Sequence, residues 1–426
     1  MDRKKKTGGI FYGWWMVAAS FFLFLFCGGT SNYGVSAFFT PIITEMGWSR
    51  TETSFAFSLR SVEGGLVQPF LGFFVDRIGT RKCIFAGILF MGLAYFLMSR
   101  TSSLYYFYIS CFLLAFGNTL SGGIPQQAAV ANWFRKRRTM ALGILAAGTG
   151  MAGIMAPVVV YLTQGFGWRQ AMFFLCLMVL TIGLPLSIVI RHRPQPYGIL
   201  PYGEKAENGA GPEETARLRP AEAGLTVKET LKTSSFWFLF LSSFLTGFAS
   251  HTIQIHLIPY LIGLGVTENL AALSLTGYTV LSVIGRLGFG ALGEIYDKKR
   301  LFMIAAIIEA AGVFILTNIR APWMIFPFLA LYGPGFGGTA PLTPSMQADC
   351  FGTRSFAAVR GFMMLSHTIP GIVGPLMAGW FYDVMGSYTV CFTILAVLCA
   401  LAAPTIMLVK LSPAKGPAET LEKVSG

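Results

Sequence analysis

A single arginine, Arg286, interrupts the apolar segment LTGYTVLSVIGRLGFGALG. Its guanidinium is always charged, and placing it at the centre of a bilayer costs at least about 2.5 kcal/mol. Tyr278, Thr279 and Ser282 precede it by eight, seven and four residues, so a helix would place all four on one polar face. This pattern predicts an anion-binding site in a cavity, with Arg286 as the receptor and Tyr278 and Ser282 beside it.

Glu309 offers a different explanation of Arg286. It lies about as far beyond the intervening loop as Arg286 lies before it, so the two side chains are expected at one level of neighbouring helices. A buried ion pair costs desolvation but is tolerated when both partners are present. The sequence leaves both alternatives open, and it makes Glu309 a candidate for proton exchange. Arg60 and Glu63, three residues apart, are expected to neutralise each other.

Three histidines, His251, His256 and His367, lie in apolar segments. Imidazole titrates near neutral pH, so each is a candidate proton carrier, and His251 is also a candidate ligand contact. His251 and His256 point about 140° apart around a helix, so they cannot both face one cavity squarely. Other polar residues predicted to complete a small binding pocket are Asn32, Tyr33, Asn118 and Tyr332.

Membrane-spanning helices must hold these residues. Hydrophobic residues make up 54% of the chain and charged residues only 12%, against about 25% in a typical soluble protein. The apolar stretches reach the roughly 20 residues that cross a hydrocarbon core. The sequence therefore predicts an all-α membrane protein with twelve spans, at 12–39, 52–75, 83–99, 103–132, 139–163, 169–190, 234–262, 269–296, 301–317, 323–348, 356–381 and 388–409.

Lysine and arginine predict the orientation. Most of the 32 lie in the N-terminus, the even-numbered loops, the central loop and the C-terminal tail, and Arg354 and Arg360 are counted with them. By the positive-inside rule both termini are expected in the cytoplasm, with the protein in the plasma membrane. The net charge of +13 is thus a topology signal and gives no support for nucleic-acid binding.

Other chemistry has little support in the sequence. The first apolar run is too long for a cleaved signal peptide and is expected to remain as a helix. Seven scattered cysteines lack C-x-x-C spacing, so neither a metal, a cofactor nor a disulfide is expected. The chain has no H-E-x-x-H or G-x-S-x-G motif and no paired intramembrane aspartates, which argues against an enzyme.

The two halves of the chain repeat each other. GFFVDRIGTRK at 72–82 recurs as GALGEIYDKKR at 290–300, an offset of 218 residues, and two glycines and a proline of span five recur in span eleven at the same offset. The predicted domains are a six-helix bundle at 1–192, a flexible cytoplasmic linker at 193–232, and a second bundle with the tail at 233–426. Parallel repeats with a site between them are typical of rocker-type transporters.

The repeated loops are predicted to form a latch that stabilises one conformation. A glycine lets two helices approach closely, and an acid at a helix end can bond basic residues or the N-terminus of another helix. The predicted latch residues are Gly72, Asp76, Arg77 and Arg81 in the first half and Glu294 and Asp297 in the second.

These motifs resemble a known family. GFFVDRIGTRK resembles the signature loop of the major facilitator superfamily, and NWFRKRRTMALGILAAGTGMAG at 132–153 resembles the fifth-span signature of its monocarboxylate transporter family. FYGWW at 11–15 resembles the first-span entry of that family and of bacterial oxalate/formate antiporters. The resemblance implies the major facilitator fold, with two pseudo-symmetric six-helix bundles, and it places an arginine matched by Arg286 at the substrate carboxylate.

The chain also departs from the family. Where animal monocarboxylate transporters carry a lysine in span one and an aspartate before the arginine, this chain has Tyr33 and Ser282. The span-eleven lysine of the oxalate/formate relatives falls near Ser366 or His367. With one cavity cation, charge balance favours a monoanion. We therefore expect alternating-access transport of a small monocarboxylate such as lactate or pyruvate, coupled to a proton, with no obligatory protein partner. Organic-anion antiport and export of another solute remain open.

Overall fold

The computed structural model describes residues 10–32, 35–48, 67–68, 70–204 and 224–410, and these form helices joined by short loops. The first bundle contains α1 (Tyr12–Leu23, Phe24–Gly28, Gly29–Asn32 and Val35–Met46), α2 (67–68 and 70–78), α3 (Thr80–Ser99), α4 (Leu104–Ser121 and Gly123–Trp133), α5 (Arg138–Met151, Ala152–Ile154 and Met155–Phe166) and α6 (Trp168–Val189). The second contains α7 (Ser234–Gly263), α8 (Glu268–Leu292), α9 (Lys298–Thr317), α10 (Ile325–Phe351), α11 (Phe356–Met385) and α12 (Thr389–Met407).

These helices follow the predicted spans closely. Within the described residues, ten helices are long and apolar enough to cross a membrane. The other two are α2, whose earlier part lies outside the described residues, and α10, which is rich in glycine and contains Pro334, Pro341 and Pro344. The helical segment Val35–Met46, assigned here to α1, extends beyond the predicted end of the first span at 39. The molecule is an all-α membrane protein, as the sequence predicts.

Each half builds its own apolar core. One large cluster of buried residues is drawn from α1 and α3–α6, and two others are drawn from α7–α12. A small fourth cluster joins the halves, with Leu71 and Val75 of α2 packed near Phe356 and Ala357 of α11. We call the end of the molecule where α2, α4 and α8 finish the basic end, because the loops there carry the Lys and Arg clusters.

Two equivalent acids fasten the bundles together at the basic end. The Asp76 carboxylate accepts hydrogen bonds from the backbone N–H groups of Ala357 and Ala358, at 3.3 and 3.0 Å. Glu294 Oε1 accepts from the N–H groups of Thr139 and Met140, at 2.6 and 3.2 Å. These amides open α11 and α5, and helix N-termini favour negative charge. Both contacts are related by the 218-residue offset, so each bundle caps a helix of the other.

The remaining predicted latch residues behave differently. A side chain at Gly72 would place its Cβ 2.3 Å from the Ala357 carbonyl oxygen, so glycine permits this close approach of α2 and α11. Arg77 and Arg81 are exposed, and Asp297 caps its own helix by accepting from the N–H groups of Lys299 and Arg300. Of the predicted set, Gly72, Asp76 and Glu294 contact the opposite bundle.

A salt bridge that the sequence analysis did not predict adds to this latch. Asp349 of α10 accepts from Arg138 of α5 at 3.0 Å and also from Lys298 of α9. Arg138 is only 4% exposed, so its charge is largely removed from solvent. A partner in the other bundle therefore matters more for Arg138 than for an exposed arginine.

Replacing either latch acid by alanine should let the bundles part at the basic end. Hydrogen bonds to a charged group contribute about 1.5–3 kcal/mol each, so Asp76→Ala or Glu294→Ala should shift the ratio of joined to parted states by about tenfold or more. Spin labels at Lys82 and Arg300, both at the basic end, would report the separation. Asp297→Ala is the matched control, and an equal effect there would contradict this account.

The population of the joined state, in which the two bundles are in contact at the basic end, should also depend on pH through Asp76. Burial raises the pKa of Asp76 from 3.8 to about 6, although the amides of Ala358 and Ala357 and the charge of Arg193 oppose the shift. Once the bundles part, this pKa should fall back toward its ordinary value, so the joined state binds the proton more tightly. Lowering the pH from about 6 to about 4 should therefore favour the joined state. Above about pH 6, Asp76 is ionised in both states and should not change their ratio.

Asp76→Asn is the test of this dependence. The amide keeps an oxygen that can accept from α11 but cannot titrate, so the spin-label distance distribution should lose the part of its pH dependence that lies between about 4 and 6. An unchanged pH profile in Asp76→Asn would show that another group is responsible.

Candidate functional site

A cavity of about 620 Å³ lies between the bundles. Residues of α1, α2, α4 and α5 form one wall, and residues of α7, α10 and α11 form the other. Its volume falls within the usual range for sites that bind small molecules. The latch contacts of Asp76, Glu294 and Asp349 lie between this cavity and the basic end.

The charge of the cavity lining is one-sided. Arg360, His251 and His367 border it, and no described lining residue is acidic. The His251 and His367 rings, on α7 and α11, have centroids 6.2 Å apart. Most of the other polar lining groups are hydroxyls and amides, among them Thr149, Gln127 and Gln254. Such a lining favours an anion over a cation.

Arg360 borders the cavity, although its place in the sequence groups it with the charges of the cytoplasmic loops. It lies four residues beyond the start of α11 and is only 5% exposed. Its Nε donates a 2.8 Å hydrogen bond to Oε1 of Gln127 in α4. Its Nη1 is buried and has no hydrogen-bond partner among the described residues. Among the described lining residues Arg360 is the permanent cation, whereas the sequence predicts Arg286 in that position.

Arg286 lies at the seam between α8 and α5. It is 7% exposed, and its Nη1 donates to the carbonyl oxygen of Ala146 at 2.6 Å and to the hydroxyl of Thr149. Its guanidinium carbon is 5.7 Å from the centre of the Phe336 ring. Ala146, Thr149 and Phe336 border the cavity, whereas Arg286 lies just behind them.

A close approach of two helices produces this seam. A Cβ at Gly143 would lie 2.5 Å from the carbonyl oxygen of Arg286, so the backbones of α5 and α8 are nearly in contact. Gly143 belongs to the repeat that the sequence analysis identified. The repeat therefore helps to bring Arg286 within reach of the opposite bundle.

Glu309 does not pair with Arg286 in this structure. It is fully buried in α9, and neither carboxylate oxygen has a hydrogen-bond partner among the described residues. Its backbone packs against Gly335 of α10, within the second bundle. The sequence predicts that the two residues lie at the same level of neighbouring helices, but this does not bring their side chains together. Arg286 bonds α5 of the first bundle, whereas Glu309 is buried within the second.

The two histidines of α7 separate as their spacing predicts. His251 borders the cavity, whereas His256 contacts the carbonyl oxygen of Pro375 at 3.1 Å and the hydroxyl of Tyr388 at 3.4 Å. These contacts direct His256 toward α11 and α12. Of the three predicted proton carriers among the histidines, the structure thus brings His251 and His367 to the cavity and leaves His256 away from it.

The remaining predicted residues are spread over several places. Tyr278 and Tyr332 are buried in the second bundle with ring centroids 5.3 Å apart, and Ser282 donates to the carbonyl oxygen of Thr279. None of these borders the large cavity. Asn118 accepts a 2.9 Å hydrogen bond from Ser31 and borders an adjoining space of about 180 Å³. Outside the described residues lie the side chain of Asn32 and the residues Tyr33, Arg60 and Glu63.

Metal chemistry finds no support in the described part of the chain. No group of three or more His, Cys, Asp or Glu side chains there could hold an ion. All seven cysteines are buried and unbonded to one another. The cavity therefore offers hydrogen bonds, positive charge and two imidazoles as its chemistry.

Comparison with known proteins identifies the fold and its relatives. The model of the Major Facilitator Superfamily matches residues 21–275 and 239–424. A solved proton:xylose symporter, XylE, shares the fold with a TM-score of 0.73 at 14% identity, over 97% of this chain and 99% of that one. The fucose transporter FucP, solved in an outward conformation, gives a TM-score of 0.70 at 14% identity, over 93% and 98% of the two chains.

Proteins with sequences similar to this chain include several monocarboxylate transporters. Monocarboxylate transporter 12 of Mus musculus is 26% identical over 416 residues, covering 92% of this chain and 83% of the relative. Monocarboxylate transporter 14 of Homo sapiens is 25% identical over 483 residues, covering 95% and 92%. With the family match extending over most of the chain, the protein belongs to the Major Facilitator Superfamily and is a membrane transporter similar to the monocarboxylate transporters.

Proposed function

We propose that this transporter carries a small monocarboxylate, of the size of lactate or pyruvate, together with a proton. The observation that carries the proposal is the cavity between the bundles, whose described lining contains basic but no acidic side chains. The names of the similar monocarboxylate transporters support the same cargo class. The membrane is the bacterial inner membrane in this proposal, with both termini in the cytoplasm as the loop charges predict.

The contacts at the basic end set the state of the transporter. The Asp76, Glu294 and Asp349 contacts hold the bundles together between the cavity and that end. With the basic end in the cytoplasm, the cytoplasmic side is the closed one. Alternating access then requires these contacts to break while the opposite end closes around the cargo.

Arg286 couples this movement to the cargo. Its hydrogen bonds to Ala146 and Thr149 cross the bundle interface, so parting of α5 and α8 would break both. A carboxylate at the cavity wall would offer two oxygens to the same guanidinium, in a geometry that suits its planar fork. The loaded transporter would then change state at a lower cost than the empty one, because the cargo would replace the two hydrogen bonds that Arg286 loses.

The proton is assigned to His251 and His367. Their rings lie 6.2 Å apart on the same wall of the cavity, where an imidazolium would compensate the charge of the cargo. His256 and Glu309 lie away from the cavity and are less suited to this role. Asn118, in the adjoining space, is the predicted polar residue best placed to contact the cargo, while Tyr278, Ser282 and Tyr332 would act by holding α8 and α10 in position.

Substitution of Arg286 should impair transport. In proteoliposomes with an inward proton gradient, Arg286→Ala should lower the initial rate of labelled lactate uptake by about tenfold or more, because a charged hydrogen-bonding partner is lost. Arg286→Lys should be intermediate, since an ammonium lacks the two-pronged fork. Glu309→Gln, which changes a buried group that does not contact Arg286, should transport at close to the wild-type rate. Wild-type uptake by Arg286→Ala would overturn the assignment.

Substitution of the cavity histidines should uncouple the proton. His251→Asn or His367→Asn should reduce the stimulation of lactate uptake by the proton gradient, while exchange of lactate across vesicles at equal pH should persist. His256→Asn is the control on the same helix and should keep the stimulation. Uptake that depends on internal counter-substrate and ignores the gradient in the wild type would show anion antiport instead.

A further inference from the structure

Arg360 lies at the end of the cavity nearest the latch. Helix α11 starts at the basic end, and four residues of helix place Arg360 only about 6 Å from that start. Gln127, its partner, lies six residues before the end of α4 at Trp133, which is also at the basic end. The two side chains meet across the bundle interface and form the floor of the cavity.

The guanidinium of Arg360 is incompletely satisfied by the protein. One hydrogen bond, from Nε to the neutral amide of Gln127, is its described side-chain contact, and no described carboxylate forms a salt bridge with it. Its Nη1 is buried without a partner. A permanent charge with a buried, unbonded donor is costly, and the cavity that Arg360 borders is the available source of an acceptor.

The neighbouring groups strengthen this conclusion. His367 follows Arg360 by seven residues, two helical turns, so both point to the same side of α11. His251 of α7 lies beside His367, with ring centroids 6.2 Å apart. From the Arg360 floor to the level of the histidines, the described lining thus offers positive charge or hydrogen-bond donors and no negative charge.

We propose that Arg360 is an anion-binding site at the cavity floor, which receives the cargo carboxylate while the cytoplasmic side is closed. Nε remains on Gln127, and the Nη1–Nη2 edge binds the two carboxylate oxygens. While the cytoplasmic side is closed, Arg286 is hydrogen-bonded to α5, so the two arginines act in different states. Arg360 binds the cargo first, and Arg286 binds it when the bundles part. The inference rests on the proposed function, because it assumes a carboxylate cargo.

Thermal stabilisation by ligand tests the site in the purified full-length protein. A ligand that binds the folded state raises the melting temperature in a concentration-dependent way. L-lactate, pyruvate and acetate should stabilise the wild type and Arg320→Gln, an exposed arginine at the other end of the molecule, with equal half-saturating concentrations. Arg360→Gln should raise that concentration at least about tenfold, and Arg360→Lys should fall between them.

Transport kinetics complete the test. The same variants in proteoliposomes should show a raised KM for lactate at Arg360→Gln, with a smaller rise at Arg360→Lys. If Arg360→Gln melts lower without ligand but keeps the wild-type half-saturating concentration and KM, Arg360 only links α11 to α4 and the inference is wrong. Should Arg360→Gln fail to fold, a wild-type KM in a monodisperse Arg360→Lys would equally overturn it.

Failure of the proposed function would look different. If none of the three carboxylates stabilises the wild type or enters wild-type proteoliposomes, the cargo class itself is wrong. If the wild type transports lactate and the Arg360 variants match it, the carboxylate transporter stands and only the floor site is lost.

Discussion

A guanidinium buried at the seam between two helical bundles is costly unless it has a hydrogen-bond acceptor. In this structure Arg286 of α8 has two acceptors on α5 of the other bundle, the carbonyl oxygen of Ala146 and the hydroxyl of Thr149. Any separation of the bundles along this seam removes both. The cargo we propose would supply replacements for these two hydrogen bonds, which would connect recognition of the anion with the change of state.

The repeat explains the latch but not the charge of the cavity. At the 218-residue offset Asp76 corresponds to Glu294, and each caps a helix of the opposite bundle. At the same offset, Arg286 corresponds to Gln68 and Arg360 to Leu142. The duplicated fold therefore provides a symmetric clamp at the basic end, whereas Arg286 and Arg360, the described arginines in or beside the cavity wall, both belong to the second bundle. Such asymmetry allows the cargo site to change while the clamp is kept.

The sequence predicts the helices well because the membrane restricts their length and the loops carry the charges. It also predicts a buried Arg286, a capping role for Asp76 and the separation of His251 from His256, since helical spacing determines which residues share a face. Spacing does not determine what that face contacts. The face of α8 with Tyr278 and Ser282 packs against protein, and Glu309, at the expected depth, points into its own bundle. The sequence does not single out Arg360 as a cavity residue, because an arginine near a basic helix end resembles a topology signal. Its seven-residue spacing from His367 does place both residues on one face of α11.

The central claim is that the cavity recognises its cargo by negative charge. Equilibrium binding of labelled pyruvate to the purified transporter, with lactate and its neutral amide lactamide as competitors, tests this most directly because the two competitors have nearly the same shape. The account predicts that lactate displaces pyruvate at a concentration at least about tenfold lower than lactamide does, as expected for loss of a charged hydrogen-bonding group. Equal displacement by lactate and lactamide would contradict it.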